Sequence, residues 1–450
     1  MSSTPVRLWQ FGWTVLGFRP AAALASEFDK APRVKIVLWH GYLLGGTGSN
    51  VYTRALARAW GKTGHEVVVV CQERNPASYD LGGARVVRPE LPGNLLPVFV
   101  LDRYEGLEPR LLQDLTPAER ERYVDANAAA VRGELPADLV FANHVLLGGP
   151  VAATAAAPYA VKAHGSELEY SMRGNPELAG WGRDGLAKAE AVFVGSAHIR
   201  AVLEEVVGHV NRVHEVPPGV DVDEFKPEAR AAALGRLLEE ARRDPPNPGN
   251  AEERLPDEGN AERLEAWFES DEPTVLYFGK LLHNKGVHVL FDALTKIEPE
   301  PRAIIVGFGD HRDELQRIAP ERTLFTGPLE HRHLVHLIPL CEVTVVPSIF
   351  PEAFGMVAAE AAGGGSLPLV ARHSGLAEIA EGLEAEYPAE HRELASFTTG
   401  DSDDLARKLT ALLALPEHDH RAMREAARRA VVARWSWERV AARLLQPFTN

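Results

Sequence analysis

The chain has 450 residues, 45% of them hydrophobic and 25% charged, with 48 basic against 63 acidic side chains for a formal net charge of −15. One hydrophobic core does not grow to that length, so the chain reads as two domains of about 200 residues each. The acidic balance excludes a general nucleic-acid binder, although local basic pockets remain compatible with it.

Residues 1–32 read as an N-terminal extension. A short apolar middle and Ala23-Leu24-Ala25-Ser26 mimic a signal peptide, but Gln10 interrupts the apolar run and Arg19 follows it. Trp9, Phe11 and Trp13 suit attachment to the body of the protein or peripheral contact with a membrane surface. No apolar run reaches the roughly 18 residues that a membrane span needs. Cys71 and Cys341 lie in or beside apolar strand-like runs, which suits buried free thiols of a cytoplasmic protein.

From Val34 onward, strand, loop and helix alternate. VKIVLW is a buried strand, HGYLLGGTGS a glycine-rich loop, and Ser49 a suitable cap for a helix that runs to about Lys62, where Gly64 ends it before the strand EVVVVC. A loop in that position lies at a strand's C-terminal end, where open α/β sheets bind ligands. Gly45, Gly46 and Gly48 allow a diphosphate to approach the backbone and the helix amides. The pattern is not the dinucleotide fingerprint, and a plain tight turn is the other reading. Further strands fall at 85–88, 139–143, 159–163 and 191–195, with helices near 117–132, 182–189 and 197–207. Two strands end in histidine, His144 and His164, and a histidine on such a tip faces the same crevice as the glycine loop.

The first domain is placed at 33–209 and the second at 210–433, opening with the double turn VPPGVDVDEFKP. Residues 228–273 form a polar insert whose proline- and glycine-rich centre reads as a loop. TVLYFG then starts a second alternation, and Lys280 and Lys285 bracket its first loop. Such lysines are ordinarily solvated, but here they flank a predicted ligand edge. His331, His333 and His336 match no set of zinc ligands and read as a solvated helix face.

The stretch 341–379 carries the densest chemistry. A buried strand leads through Pro347 and Pro351 into a helix from about Phe354, with Glu352 before it and Glu360 within it. The amides of Phe354, Gly355, Met356 and Val357 stand at the positive end of that helix. Carboxylates that accept from hydroxyls, beside amides that donate to an anion, suit a sugar that carries a phosphate. Taken singly, each acid is also explained as a helix-start charge or a solvated face. Residues 434–450 are helical and return toward the first domain from the corner Trp435-Ser436-Trp437.

GGTGSNVY, KAHGSE, VGSAHI, VPPGVDVDEFKP, FGKLLHNKG, FTGPL and PSIFPEAFGMVAAEAAGGG stand in one order on strand-end loops between about Val34 and Leu445. Together they resemble the retaining family-four glycosyltransferases of the GT-B class, in which two doubly wound, Rossmann-like α/β domains face each other across a cleft. The resemblance implies that Glu352 contacts the donor sugar, Glu360 the ribose, and Lys280 with Lys285 the diphosphate. It places His164 near the reacting carbon. Lysine stands at 280 where the family commonly has arginine, which keeps the charge and loses the bidentate fork. The resemblance implies a metal-independent transferase without a cofactor, taking a nucleotide-sugar donor and a hydroxyl acceptor such as a small molecule, a lipid-linked sugar or a polysaccharide. A GT-B nucleotide-sugar epimerase, a phosphorylase and a non-catalytic nucleotide-sugar-binding protein are the alternatives.

Overall fold

The computed structural model describes residues 33–46, 48–101, 104–247 and 255–448. The expectations for the N-terminal extension, and for the centre of the insert at 248–254, lie outside the described residues.

Continuous runs of valine, isoleucine and leucine form strands buried on both faces, the signature of parallel sheets covered by helices. In chain order these are β1 (Lys35–Trp39), β2 (Glu66–Val70) and β3 (Arg85–Val87). A separate parallel pair follows, β4 (Leu95–Val98) and β5 (Glu108–Leu111). After it come β6 (Leu139–Asn143), β7 (Tyr159–Lys162), β8 (Ala191–Val194) and β9 (Val213–Glu215). Apart from the β4-β5 pair they make a seven-stranded sheet in the order β3-β2-β1-β6-β7-β8-β9. The second half supplies β10 (Thr274–Phe278), β11 (Arg302–Val306), β12 (Thr323–Gly327), β13 (Val343–Val346), β14 (Leu367–Ala371) and β15 (Ser396–Phe397). Their order is β12-β11-β10-β13-β14-β15.

Each sheet reverses its winding once, between β1 and β6 in the first and between β10 and β13 in the second. Chains leave in opposite directions at such a point and open a crevice at the carboxyl ends of the strands. His40 and His144 follow β1 and β6; the lysine loop and the Glu352 loop follow β10 and β13.

The last helix, Trp437–Leu445, leaves the second half and packs on the first. Trp437, Val440, Ala441 and Leu444 join the core formed by Ile36, Leu56 and Trp60, and the Trp60 indole donates to Ala441 O at 3.0 Å. The two crossings between the halves touch, since Val220 N donates to Trp435 O at 2.6 Å.

Several elements differ from the sequence reading. β9 pairs with β8, so the first sheet extends past 209 and the connection begins at Val216. The helix expected at 182–189 spans Pro176–Leu186, because the Asn175 side chain caps Leu178 N and Pro176 occupies the first turn. Gly48, not Ser49, stands at the helix cap, with φ 63 and no side-chain cap bond. The helix expected from Phe354 starts at Met356, because Gly355 adopts φ 116. The insert's flanks are two helices, Arg230–Arg242 and Asn260–Phe268, whose Leu237, Leu264 and Phe268 enter the second core. Of His331, His333 and His336, expected on a solvated helix face, only His331 is exposed. His333 is fully buried 3.1 Å from Asp244, His336 lies 2.9 Å from Glu228, and His331 lies 2.6 Å from Glu224. The insert and the connection supply those carboxylates, which no periodicity within the helix reveals.

Candidate active site

The glycine loop is held from both ends. Asn50, in the helix Ser49–Lys62, donates to Gly45 O at 2.5 Å, and its Oδ1 lies 2.8 Å from His40 Nε2 at the tip of β1. Gly46 and Gly48 adopt φ 90 and 63, angles that favour glycine. Gly45 lies against Tyr79, whose hydroxyl would be 2.7 Å from a Cβ there and would have to swing aside for a larger residue.

His164 follows β7 and is oriented through three polar groups. Thr53 Oγ1 donates to Ser49 O at 2.7 Å and accepts from Asn143 Nδ2 at 3.1 Å. Asn143 Oδ1 then faces His164 Nε2 at 2.9 Å. An amide oxygen only accepts, so Nε2 carries the proton and Nδ1 of the neutral ring keeps its lone pair. The ring packs edge-on to Tyr52, with centroids 5.5 Å apart, and lies 4.6 Å from the ring of His144. Burial, with Lys162 and His40 nearby, holds the His164 pKa well below the usual histidine value. The first domain therefore presents a neutral imidazole, able to accept a hydrogen bond from a sugar hydroxyl.

Two buried groups behind this ring escaped the sequence reading. Glu167 is fully buried; its carboxylate accepts from His164 N at 2.9 Å and from Leu146 N at 3.0 Å, joining the tips of β6 and β7. Burial pushes it up to about 8. A carboxylate three residues after the strand-tip histidine is the one local signal that pointed to it. Lys162 is buried, donates to Val216 O at 2.7 Å where the chain leaves the first domain, and is lowered to about 7 by burial.

Across the cleft, the loop after β13 carries Glu352. Its carboxylate accepts from Lys285 Nζ at 2.5 Å, and the two loops are stitched by Ile349 N donating to Asn284 O at 3.0 Å. Gly286 is required here because a Cβ would collide with Pro347 O at 1.9 Å. Lys280 is exposed, and its carbonyl accepts from the Tyr277 hydroxyl at 2.7 Å. Phe354 is buried, while Gly355, Met356 and Val357 are partly exposed at the start of the helix Met356–Gly364. First-turn amides have no intrahelical acceptor and carry the positive end of the helix dipole. Glu360 lies one turn further into the same helix; burial pushes it up to about 7, opposed by the attraction of His331.

The two halves meet at the mouth of the site. A side chain on Gly165, next to His164, would lie 3.8 Å from Ala353 Cβ, next to Glu352. Glu378 Oε1, from the helix Ser374–Glu384, accepts from Ala197 N at 2.7 Å at the start of the helix Ala197–Val207. The structure thus brings His164, Lys285 and Glu352 to one cleft with the helix amides, and leaves Lys280 on its exposed rim.

Two doubly wound parallel sheets, apposed at their switch points and exchanging a C-terminal helix, define a GT-B protein. A family described as Glycosyl transferase 4-like domain matches residues 47–219, and one described as Glycosyl transferases group 1 matches residues 261–430. The chain belongs to the family-four glycosyltransferases of the GT-B class.

The chain is 30% identical over 251 residues to D-inositol 3-phosphate glycosyltransferase of Xylanimonas cellulosilytica, covering 54% of this chain and 52% of that protein. It is 25% identical over 299 residues to the GDP-mannose-dependent alpha-(1-6)-phosphatidylinositol monomannoside mannosyltransferase of Mycobacterium tuberculosis, covering 62% and 66%. These matches span from about half to just under two thirds of the relatives. Among solved structures, sucrose-phosphate synthase from Thermosynechococcus elongatus superposes with TM-score 0.63 at 21% identity, covering 92% of this chain and 98% of that one. Anabaena HepE, in complex with UDP and glucose, superposes with TM-score 0.63 at 18% identity, covering 92% and 99%. At these identities the likeness is one of fold.

Proposed function

We propose that the protein is a retaining glycosyltransferase that moves a sugar from a nucleoside diphosphate sugar to an acceptor hydroxyl without a metal ion. The observation that carries this reading is the contact of Lys285 with Glu352, 67 residues apart in the chain, at the crevice beside the β10-β13 switch point. Phosphate and sugar ligands thereby stand side by side. HepE, a structural neighbour, has been solved with UDP-glucose, which supports the donor class.

In this reading the diphosphate takes Lys285 from Glu352, with Lys280 and the amides of Gly355, Met356 and Val357 completing the positive surround. Glu360 accepts from the ribose hydroxyls. Glu352, released from its lysine, accepts from the sugar hydroxyls, and His164 Nδ1 accepts from a hydroxyl near the anomeric carbon. As the glycosidic bond to phosphate breaks, negative charge grows on the leaving oxygen and meets the lysine and the helix dipole. The acceptor hydroxyl attacks the same face, and its proton passes to the departing phosphate. Closure of the two halves excludes water and so favours transfer over hydrolysis.

A thermal-shift screen against uridine, guanosine and adenosine diphosphate sugars, followed by proton NMR of the anomeric signal of the product, tests this reading. Stabilisation by one nucleotide series with retained configuration is expected. Turnover of the donor to an epimer without an acceptor, or an inverted product, overturns it.

A further inference from the structure

The segment from Ser348 to Glu352 has no regular secondary structure, yet it must hold a carboxylate against a sugar. An ordered chain of hydrogen bonds runs beneath it. Glu352 N donates to Ser374 Oγ at 2.9 Å, Ser374 Oγ lies 3.0 Å from His373 Nδ1, and His373 Nε2 lies 2.7 Å from Ser348 O. A carbonyl only accepts, so Nε2 carries the proton; Nδ1 of the neutral ring is then an acceptor and takes the Ser374 hydroxyl hydrogen. That leaves the Ser374 oxygen to accept from Glu352. Gly375 N donates to Glu352 O at 3.0 Å, so both main-chain groups of Glu352 are tied to 374–375.

Ser374 adopts φ 46, a region that side chains other than glycine seldom enter. Glycine would take this angle without strain but lacks a hydroxyl. Strain at a backbone position that touches the donor loop, together with a fully directed chain of donors, is the pattern of a residue retained for its side chain.

We propose that His373 and Ser374 are positioning residues for Glu352: neutral, Nε2-protonated His373 orients the Ser374 hydroxyl, and that hydroxyl sets the backbone from which Glu352 meets the donor sugar. The proposal rests on the reading of Glu352 as the sugar contact.

The decisive variants are Ser374→Ala, which removes the hydroxyl and keeps the strain, and Ser374→Gly, which removes both. A merely structural role predicts that the glycine variant melts no lower than wild type and turns over normally. Positioning predicts that it melts no lower and yet loses about 10²-fold in kcat, as for small misplacements of a reacting group, while its Kd for the nucleoside diphosphate alone is unchanged. Wild-type kcat in Ser374→Gly overturns the proposal. Independently, ¹⁵N NMR of the holo-length chain, with the His373 signals assigned by their loss in His373→Gln, is expected to show Nε2 protonated and Nδ1 bare; the opposite tautomer or an imidazolium overturns it. Should wild type turn over no nucleotide sugar at all, the functional reading falls, while the ¹⁵N tautomer still decides the hydrogen-bond chain.

Discussion

The Lys285 ammonium and the Glu352 carboxylate neutralise each other across 2.5 Å in the cleft proposed to receive both a diphosphate and a sugar. Each is thus the other's placeholder. Glu352→Ala removes the sugar contact and frees the lysine, so sugar transfer is expected to fall by about 10²- to 10³-fold, as for loss of a transition-state contact. Nucleoside diphosphate binding, measured by calorimetry, persists or tightens. Undiminished turnover would remove Glu352 from the mechanism.

Lys285→Ala has the complementary outcome. Loss of a charged hydrogen-bond donor to phosphate weakens nucleoside diphosphate binding by about 1.5 to 3 kcal/mol, again read by calorimetry. Equal affinity in wild type and variant argues that the phosphate lies elsewhere.

The proposed ribose contact of Glu360 predicts that donor binding is pH-linked. Burial raises its carboxyl to about 7, so below that pH the empty site holds a proton there. Ribose hydroxyls that donate to the carboxylate favour the charged form and lower its pKa. Nucleotide binding at pH 6 is therefore expected to release protons, seen as a dependence of the calorimetric enthalpy on the ionisation enthalpy of the buffer; Glu360→Gln abolishes that dependence. Buffer-independent enthalpies in wild type exclude the linkage.

Glu167 sets a stability slope of definite sign. Its folded pKa, about 8, exceeds its ordinary value of 4.5, so the folded state binds the extra proton. Its contribution is complete below pH 4.5 and lost as pH rises toward 8, at up to about 1.4 kcal/mol per pH unit. Buried His40, lowered to about 4, acts the other way and disfavours acid. Subtracting the Glu167→Gln denaturation curve from wild type isolates the first effect: the wild-type advantage should shrink steadily from pH 5 to 8. Above pH 8, where the ionised carboxylate accepts from both His164 N and Leu146 N, the same variant is expected to lower transfer, because an amide offers only one acceptor.

Glu378→Ala tests how the halves are held. Ala197 N loses a capping acceptor that comes from the other half, which by analogy with helix caps costs about 1 kcal/mol. Small-angle scattering is expected to show a more open chain, and donor hydrolysis should rise relative to transfer. An unchanged scattering profile would mean that this contact does not set the closure.

His164, Lys285 and Glu352 were legible before any coordinate, because each follows an apolar strand run that parallel pairing must place at one edge of a sheet. Glu167 left only a faint local mark, three residues after its histidine. His373, Ser374 and Glu378 left none. Ser374 matters through a hydrogen bond to a residue 22 positions away, and Glu378 through one to a residue 181 positions away. His333 and His336 differ from the expected solvated face for the same reason: their partners, Asp244 and Glu228, arrive from the insert.

By itself the sequence determined the two parallel sheets, their strand-end loops and the glycines without which those loops cannot turn, since apolar runs and φ preferences act within a few residues. Tertiary structure alone decided which polar atoms are paired, which ring nitrogen of His164 stays bare, and which carboxyls hold a proton. Those properties depend on burial and on partners brought together by folding, and desolvation has no local code.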